Sequence, residues 1–250
     1  MEPEICMTVG SSSYMTGLFF VSSRAARALV PDDYFTVAEV LPGKAVLFVG
    51  SGEFRSSDIG PYREMYVGFY TENRERRGRS SVFSNVMELM QNESKMFMWK
   101  NWLSSDVAMQ RMDRAGAQIF RRGELERLDH GKDVTLAMRH TSEGSIQFRV
   151  PKHSRYTKHN FCLHKTHYGR LHGVPSKCQL DLNIKHMTTS PMQGELSMQG
   201  QVADECRALG ISQKPIASVW IEEMSFTMHR PVALSHAHAA VHPAATDATV

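Results

Sequence analysis

Cysteine is scarce in this chain: Cys6, Cys162, Cys178 and Cys206 are the only four in 250 residues, and no two form a CxxC pair. That spacing excludes a zinc-ribbon type of site and a disulfide framework, and it suits a reducing cytoplasm. Charge of one sign is lacking too. With 29 Lys and Arg against 26 Asp and Glu, the net +3 gives no footing for nucleic-acid binding. The basic run at Arg74, Arg76, Arg77 and Arg79 has Glu72 and Glu75 interleaved and reads as a solvated loop. No apolar run approaches the roughly 20 residues a membrane span needs, and no basic-plus-apolar leader opens the chain, so no membrane partner is expected. The absence with the largest chemical consequence is local: no lysine occurs between Lys100 and Lys132.

The remainder is ordinary globular composition, 42% hydrophobic and 22% charged. A single domain is expected over residues 1–232. The Ala- and His-rich tail, 233–250, has no apolar periodicity and reads as disordered, and its His236, His238 and His242 are not read as a metal site. Within the domain the pattern is short strands punctuated by Gly and Pro. Strands are expected at Tyr14–Val21 (after a Ser-rich turn at Ser11–Ser13), Phe35–Val40, Ala45–Val49, Met65–Tyr70 and Lys95–Trp102. Further strands follow at Leu125–Leu128, Val134–His140, Ile146–Val150, Phe161–Lys165, Cys178–Ile184, Glu195–Met198 and Val219–Met228. Short helices fit Arg24–Leu29 (capped by Ser22 or Ser23), Val107–Ala115 and Val202–Leu209, the last stopped by Gly210. Ser84–Met90 is a further apolar stretch. Many strands and few helices predict a mainly β, closed or nearly closed architecture.

One stretch organises the rest. Between Val49 and Met65 the chain holds Asp58, Gly60, Pro61, Tyr62 and Glu64. Gly-Pro forces a turn, and the strand that follows puts Tyr62 and Glu64, two apart, on one face. A carboxylate beside a phenol at a strand mouth is a candidate acid/base group, although a turn residue with satisfied hydrogen bonds has the same signature.

These segments, in this order, resemble the acetoacetate decarboxylase-like superfamily over about residues 10–232. The resemblance rests on Ala28-Leu29-Val30-Pro31, Asp58-Ile59-Gly60-Pro61-Tyr62-Arg63-Glu64, Leu128-Asp129-His130-Gly131-Lys132, Asn160-Phe161-Cys162-Leu163-His164-Lys165 and the closing Arg230-Pro231. Gly-Pro-Tyr-x-Glu is the most specific of these. The resemblance implies a cone-shaped β-barrel decorated with short helices, an active site in its interior, and homo-oligomers. It also implies a lysine in a Pro-Lys segment that forms a Schiff base with a β-keto acid, and an arginine near the first strand that clamps the substrate carboxylate.

Here that lysine segment falls within Arg111–Arg122, where one register offers Arg121 and Arg122 and another Gln118. An arginine, with a pKa above about 12, has no free lone pair for imine formation. The clamp region reads Ser11-Ser12-Ser13-Tyr14, without a basic residue. The expectation is therefore an enzyme acting on a fairly hydrophobic keto-type small molecule by acid/base chemistry, with no cofactor, metal or lysine Schiff base. Glu64, Tyr62 and Arg121 are its candidate catalytic residues, and Arg122, Arg114, Gln118, Lys100 and Lys165 its candidate substrate contacts. Two alternatives stand beside it: a non-catalytic small-molecule-binding barrel, and a Schiff-base enzyme whose lysine has moved to Lys100 or Lys165. A lysine in such a strand reads first as outward and solvated.

Overall fold

A computed structural model of the chain describes residues 4–30, 35–73, 95–114, 119–212 and 214–234. In chain order the elements are β1 (Ile5–Ser22), α1 (Ser23–Leu29), β2 (Phe35–Val37), β3 (Glu39–Leu41), β4 (Lys44–Ser57), β5 (Tyr62–Asn73), β6 (Lys95–Leu103), α2 (Asp106–Arg114), β7 (Phe120–Arg122), β8 (Glu124–Asp129), β9 (Asp133–His140), β10 (Gly144–Pro151), β11 (Tyr156–Leu171), β12 (Val174–Pro191), β13 (Glu195–Gln199), α3 (Gln201–Ala208), β14 (Ala217–His229) and β15 (Val232–Ala233). No described helix is long and apolar enough to cross a membrane.

The long strands close on themselves. β1 pairs with β4, β4 with β5 and β5 with β6; β6 then runs parallel to β11, which pairs with β12, β12 with β14, and β14 with β1. The resulting ring is a β-barrel, and closure removes the sheet edges that would invite aggregation. A separate four-stranded antiparallel sheet, in the order β13-β10-β9-β8, covers part of the outside.

Alternation along each wall strand sorts the side chains between these two spaces. Met15, Phe19 and Val21 of β1, Leu47 and Val49 of β4, and Met65, Val67 and Phe69 of β5 face outward. They form the main core with Leu136, Met138, Ile146 and Phe148 of the small sheet. The opposite face lines the bore, where Phe54, Tyr62, Leu103, Leu182, Ile184 and Phe226 meet from several walls. At Gly52 a Cβ would lie 2.8 Å from the ring of Phe54, so a glycine there lets that ring lie against the backbone. Phe54 in turn stacks on Tyr62 with centroids 4.3 Å apart and meets Phe226 edge-on at 5.9 Å.

Caps and turns follow local chemistry. The Ser22 hydroxyl accepts the Ala25 N–H at 3.3 Å and starts α1. Gly210, at φ +71°, donates its N–H to Arg207 O at 2.8 Å and ends the turn after α3. The Gly-Pro turn is shorter than expected. β4 runs on to Ser57 and β5 begins at Tyr62, with Gly60 at φ +84° between them.

Ser11–Ser13 is likewise strand, not turn. The three serines sit inside β1 among register shifts, and the Ser12 hydroxyl donates to Met224 O at 3.0 Å, so a polar side chain is satisfied within the wall. β11 and β12 extend well beyond Phe161–Lys165 and Cys178–Ile184. At the tail, β15 pairs with β12 and Leu234 is buried in the core, so order continues past residue 232. The basic run at 74–79, Ser84–Met90 and the tail histidines lie outside the described residues.

Candidate active site in the barrel bore

Two neighbouring rows of side chains cross the bore from β1 to β6. In one, Tyr14 pairs with Gly52 and Gly52 with Glu64; in the next, Thr16 pairs with Gly50, Gly50 with Tyr66, and Tyr66 with Asn101. Tyr62 and Glu64 share this face, as their two-residue spacing requires. Glu64 Oε1 accepts a hydrogen bond from Asn101 Nδ2 at 2.5 Å, and Ser51 Oγ donates to the Glu64 main-chain carbonyl at 2.6 Å. The Glu64 side chain is half-buried, and burial raises its pKa to about 7, a rise that the Asn101 hydrogen bond holds back in part. Tyr62 does not bond to Glu64. Its hydroxyl points to Met7 Sδ at 3.9 Å, and burial lifts the phenol pKa well above the ordinary value.

Another part of the barrel wall carries an amine. On β11, Phe161, Leu163, Lys165 and His167 occupy alternate positions. Phe161 and Leu163 pack in the bore cluster, whereas Tyr168, of opposite parity, packs outward on Phe35 at 5.4 Å. Lys165 and His167 therefore point into the bore. Lys165 forms no ion pair with any described residue, and burial lowers its pKa to about 8. His167 is lowered to about 3, first by burial and then by the charge on Lys165, so its imidazole is neutral at physiological pH. An outward, solvated Lys165 is thus not what the fold has. β6 lies between its strand and β5, but β11 meets β6 at Lys95–Phe97 and Glu64 meets it at Leu103, so the amine and the carboxyl stand at different levels of the barrel.

The other positions singled out from sequence lie elsewhere. Lys100 is buried on the outer face of the wall, 2.8 Å from Glu205 Oε2 and 3.4 Å from Glu143 Oε1. Arg121 joins the same cluster through Glu143 Oε1 at 2.8 Å, and Trp102 Nε1 donates to Glu143 Oε2 at 2.8 Å. Arg122 pairs with Asp106 at 2.8 Å and donates to Leu103 O at 3.2 Å. An Arg121 or Arg122 turned into the bore, as the acid/base expectation required, is not observed, because acidic partners outside the barrel hold both. Arg114 ends α2, and Gln118 lies outside the described residues.

Sequence reasoning passed over Asn101, His167, Tyr14 and Tyr66. Alternation from Glu64 leads to Tyr66, and alternation from Lys165 leads to His167. Asn101 had no such signal, because a register shift between Val67 and Gly68 changes the parity of β6.

Neither a family model nor a curated protein matches the sequence. Solved structures do match its fold. The enduracididine biosynthesis enzyme MppR complexed with pyruvate aligns over 94% of this chain and 92% of its own, at 14% identity and a TM-score of 0.62. An acetoacetate decarboxylase aligns over 94% and 90% at 10% identity and a TM-score of 0.62. The acetoacetate decarboxylase of Legionella pneumophila subsp. pneumophila str. Philadelphia 1 aligns over 92% and 87% at 8% identity and a TM-score of 0.63. Closed wall, covering sheet and bore together give this chain the acetoacetate decarboxylase-like fold.

Proposed function

We propose that the chain is an enzyme that takes a keto-type small molecule into its bore and forms an imine with it at Lys165. The observation that carries this reading is a half-buried primary amine that faces the bore without an acidic partner among the described residues, its pKa lowered to about 8. At that value roughly a tenth is the free base at pH 7, and the free base is the nucleophilic form. The Nζ lone pair attacks the carbonyl carbon, the oxygen leaves as water, and the resulting iminium accepts the electron pair released at the neighbouring carbon. Glu64, with a pKa near 7, is the other acid/base group of the bore and serves a substrate long enough to reach it from Lys165. Decarboxylation, dehydration and cyclisation of a biosynthetic intermediate all fit this sequence of steps. Support by likeness comes from MppR, whose solved structure holds pyruvate, a keto acid. Assembly into homo-oligomers belongs to the same proposal.

The test is reductive trapping. Incubation with pyruvate, acetoacetate or an aromatic keto acid, followed by borohydride, is expected to leave a stable adduct that peptide mapping places on Lys165. An unmodified Lys165 with all three overturns the imine reading.

A second reading has its own support: the near-neutral pKa of Glu64 and its Asn101 hydrogen bond serve acid/base chemistry without an imine. Under it Lys165→Met keeps turnover and Glu64→Gln loses it. Under the imine reading both lose it.

A further inference from the structure

The bore holds a pair of hydroxyls not used by these steps. Tyr14 and Tyr66 stand on β1 and β5, on either side of Gly50 of β4, with ring centroids 6.0 Å apart and planes within 28°. A Cβ built on Gly50 would lie 2.4 Å from Tyr66 Oη and 2.9 Å from Tyr14 Oη. The two phenol oxygens thus crowd one point above a residue that has no side chain. Neither is hydrogen-bonded to a described residue, although Tyr66 is only 3% exposed. Buried hydroxyls are ordinarily satisfied, and a pair left without partners on the inner face of a barrel wall is the arrangement of a ligand site.

We infer that Tyr14 and Tyr66 form a two-donor subsite for an oxyanion, the carboxylate or enolate oxygen of the bound compound. The chemistry is matched to that occupant. Burial drives the Tyr66 pKa upward, so it stays a phenol and donates. Both donors are fixed in place before a ligand arrives, and fixed donors in a site shielded from water act strongly on developing negative charge. The inference rests on the reading that the bore is the ligand chamber, but not on imine formation.

Two probes separate the claims. Propionate, which has a carboxylate and no keto group, reports the subsite alone, and pyruvate with borohydride reports the amine. Wild-type protein is expected to bind propionate by calorimetric titration. Tyr14→Phe and Tyr66→Phe, which remove one oxygen each and keep the rings, are expected to weaken it about ten- to a hundred-fold. Gly50→Ala places a methyl where the hydroxyls sit and is expected to weaken it at least as much, with circular dichroism unchanged. Lys165→Met is expected to retain the dependence on both phenols while losing the pyruvate adduct. Propionate binding that depends on the phenols in a protein that forms no adduct sustains the subsite and sinks the imine. Adduct formation with propionate binding absent from wild type, or equal in all three variants, sinks the subsite and leaves the imine standing.

Discussion

Lys100 and Lys165 stand on neighbouring wall strands, β6 and β11, each among apolar residues, and they have opposite surroundings. Lys100 lies between the barrel and the covering sheet, with Glu205 at 2.8 Å, Glu143 at 3.4 Å and the Trp99 ring at 5.0 Å. Lys165 lies in the bore with a neutral imidazole two residues away and no described carboxylate paired to it. The first is held by two carboxylates, and truncating it would leave the buried Glu143 without that partner. The second has every reason to shed its proton, because nothing near it rewards the charge. A buried lysine's role is decided by its partners, not by how deeply it sits.

The comparison breaks first on chemistry. Lys165→Met is expected to abolish the trapped adduct, and Lys100→Met to leave it in place, read by mass spectrometry of the two variants side by side. Labelling at position 100 in the wild type would reverse the assignment.

Stability gives the next largest contrast. Lys100→Met uncouples a buried cluster and is expected to cost about 3 kcal/mol in urea denaturation. Lys165→Met is expected to be neutral or stabilising at pH 7. The folded pKa of Lys165 lies below the unfolded one, so the penalty for its charge is complete below about pH 8 and fades as pH rises toward 10.5. The advantage of Lys165→Met over wild type should therefore shrink across that window.

Glu64 carries the opposite sign. Its folded pKa of about 7 is above the ordinary glutamate value of 4.5, so wild-type stability falls as pH rises from 4.5 to 7. Glu64→Gln is expected to be more stable than wild type by about 1–3 kcal/mol at pH 8 and indistinguishable at pH 4. Parallel wild-type and variant curves across that range would show that burial does not set this carboxyl.

The smallest effect sharpens the picture of the site. Asn101→Leu removes the hydrogen bond that favours the carboxylate, and the limb of the pH–rate profile assigned to Glu64 should move up by about one unit. A limb that stays in place excludes Asn101 as its positioning residue.

The sequence showed the order of strands, a serine cap at Ser22 or Ser23, the Gly210 stop and the shared face of Tyr62 and Glu64, because each depends on near neighbours in the chain. Its errors come from broken alternation. In KMFMWKNW strict alternation would put Met96, Met98, Lys100 and Trp102 on one face. The register shift opposite Val67 and Gly68 sends Lys100 and Trp102 outward and brings Asn101 in. The expected strand stopped at Val49, short of Gly50 and Gly52, and the aromatic side chains lying over these two explain glycines in a long strand. Lys165 followed its alternation faithfully. What sequence could not supply was which side of β11 faces the chamber, since that depends on β6 and β12 closing the ring around it.

The glycine at position 52 has a consequence for size selection. Because the ring of Phe54 rests on that bare backbone and is stacked with Tyr62, a single added methyl would lever a pair of aromatic plates toward Phe226. The calibre of this end of the barrel is therefore set by an atom that is missing, and diversifying position 52 changes what fits without touching any group that reacts.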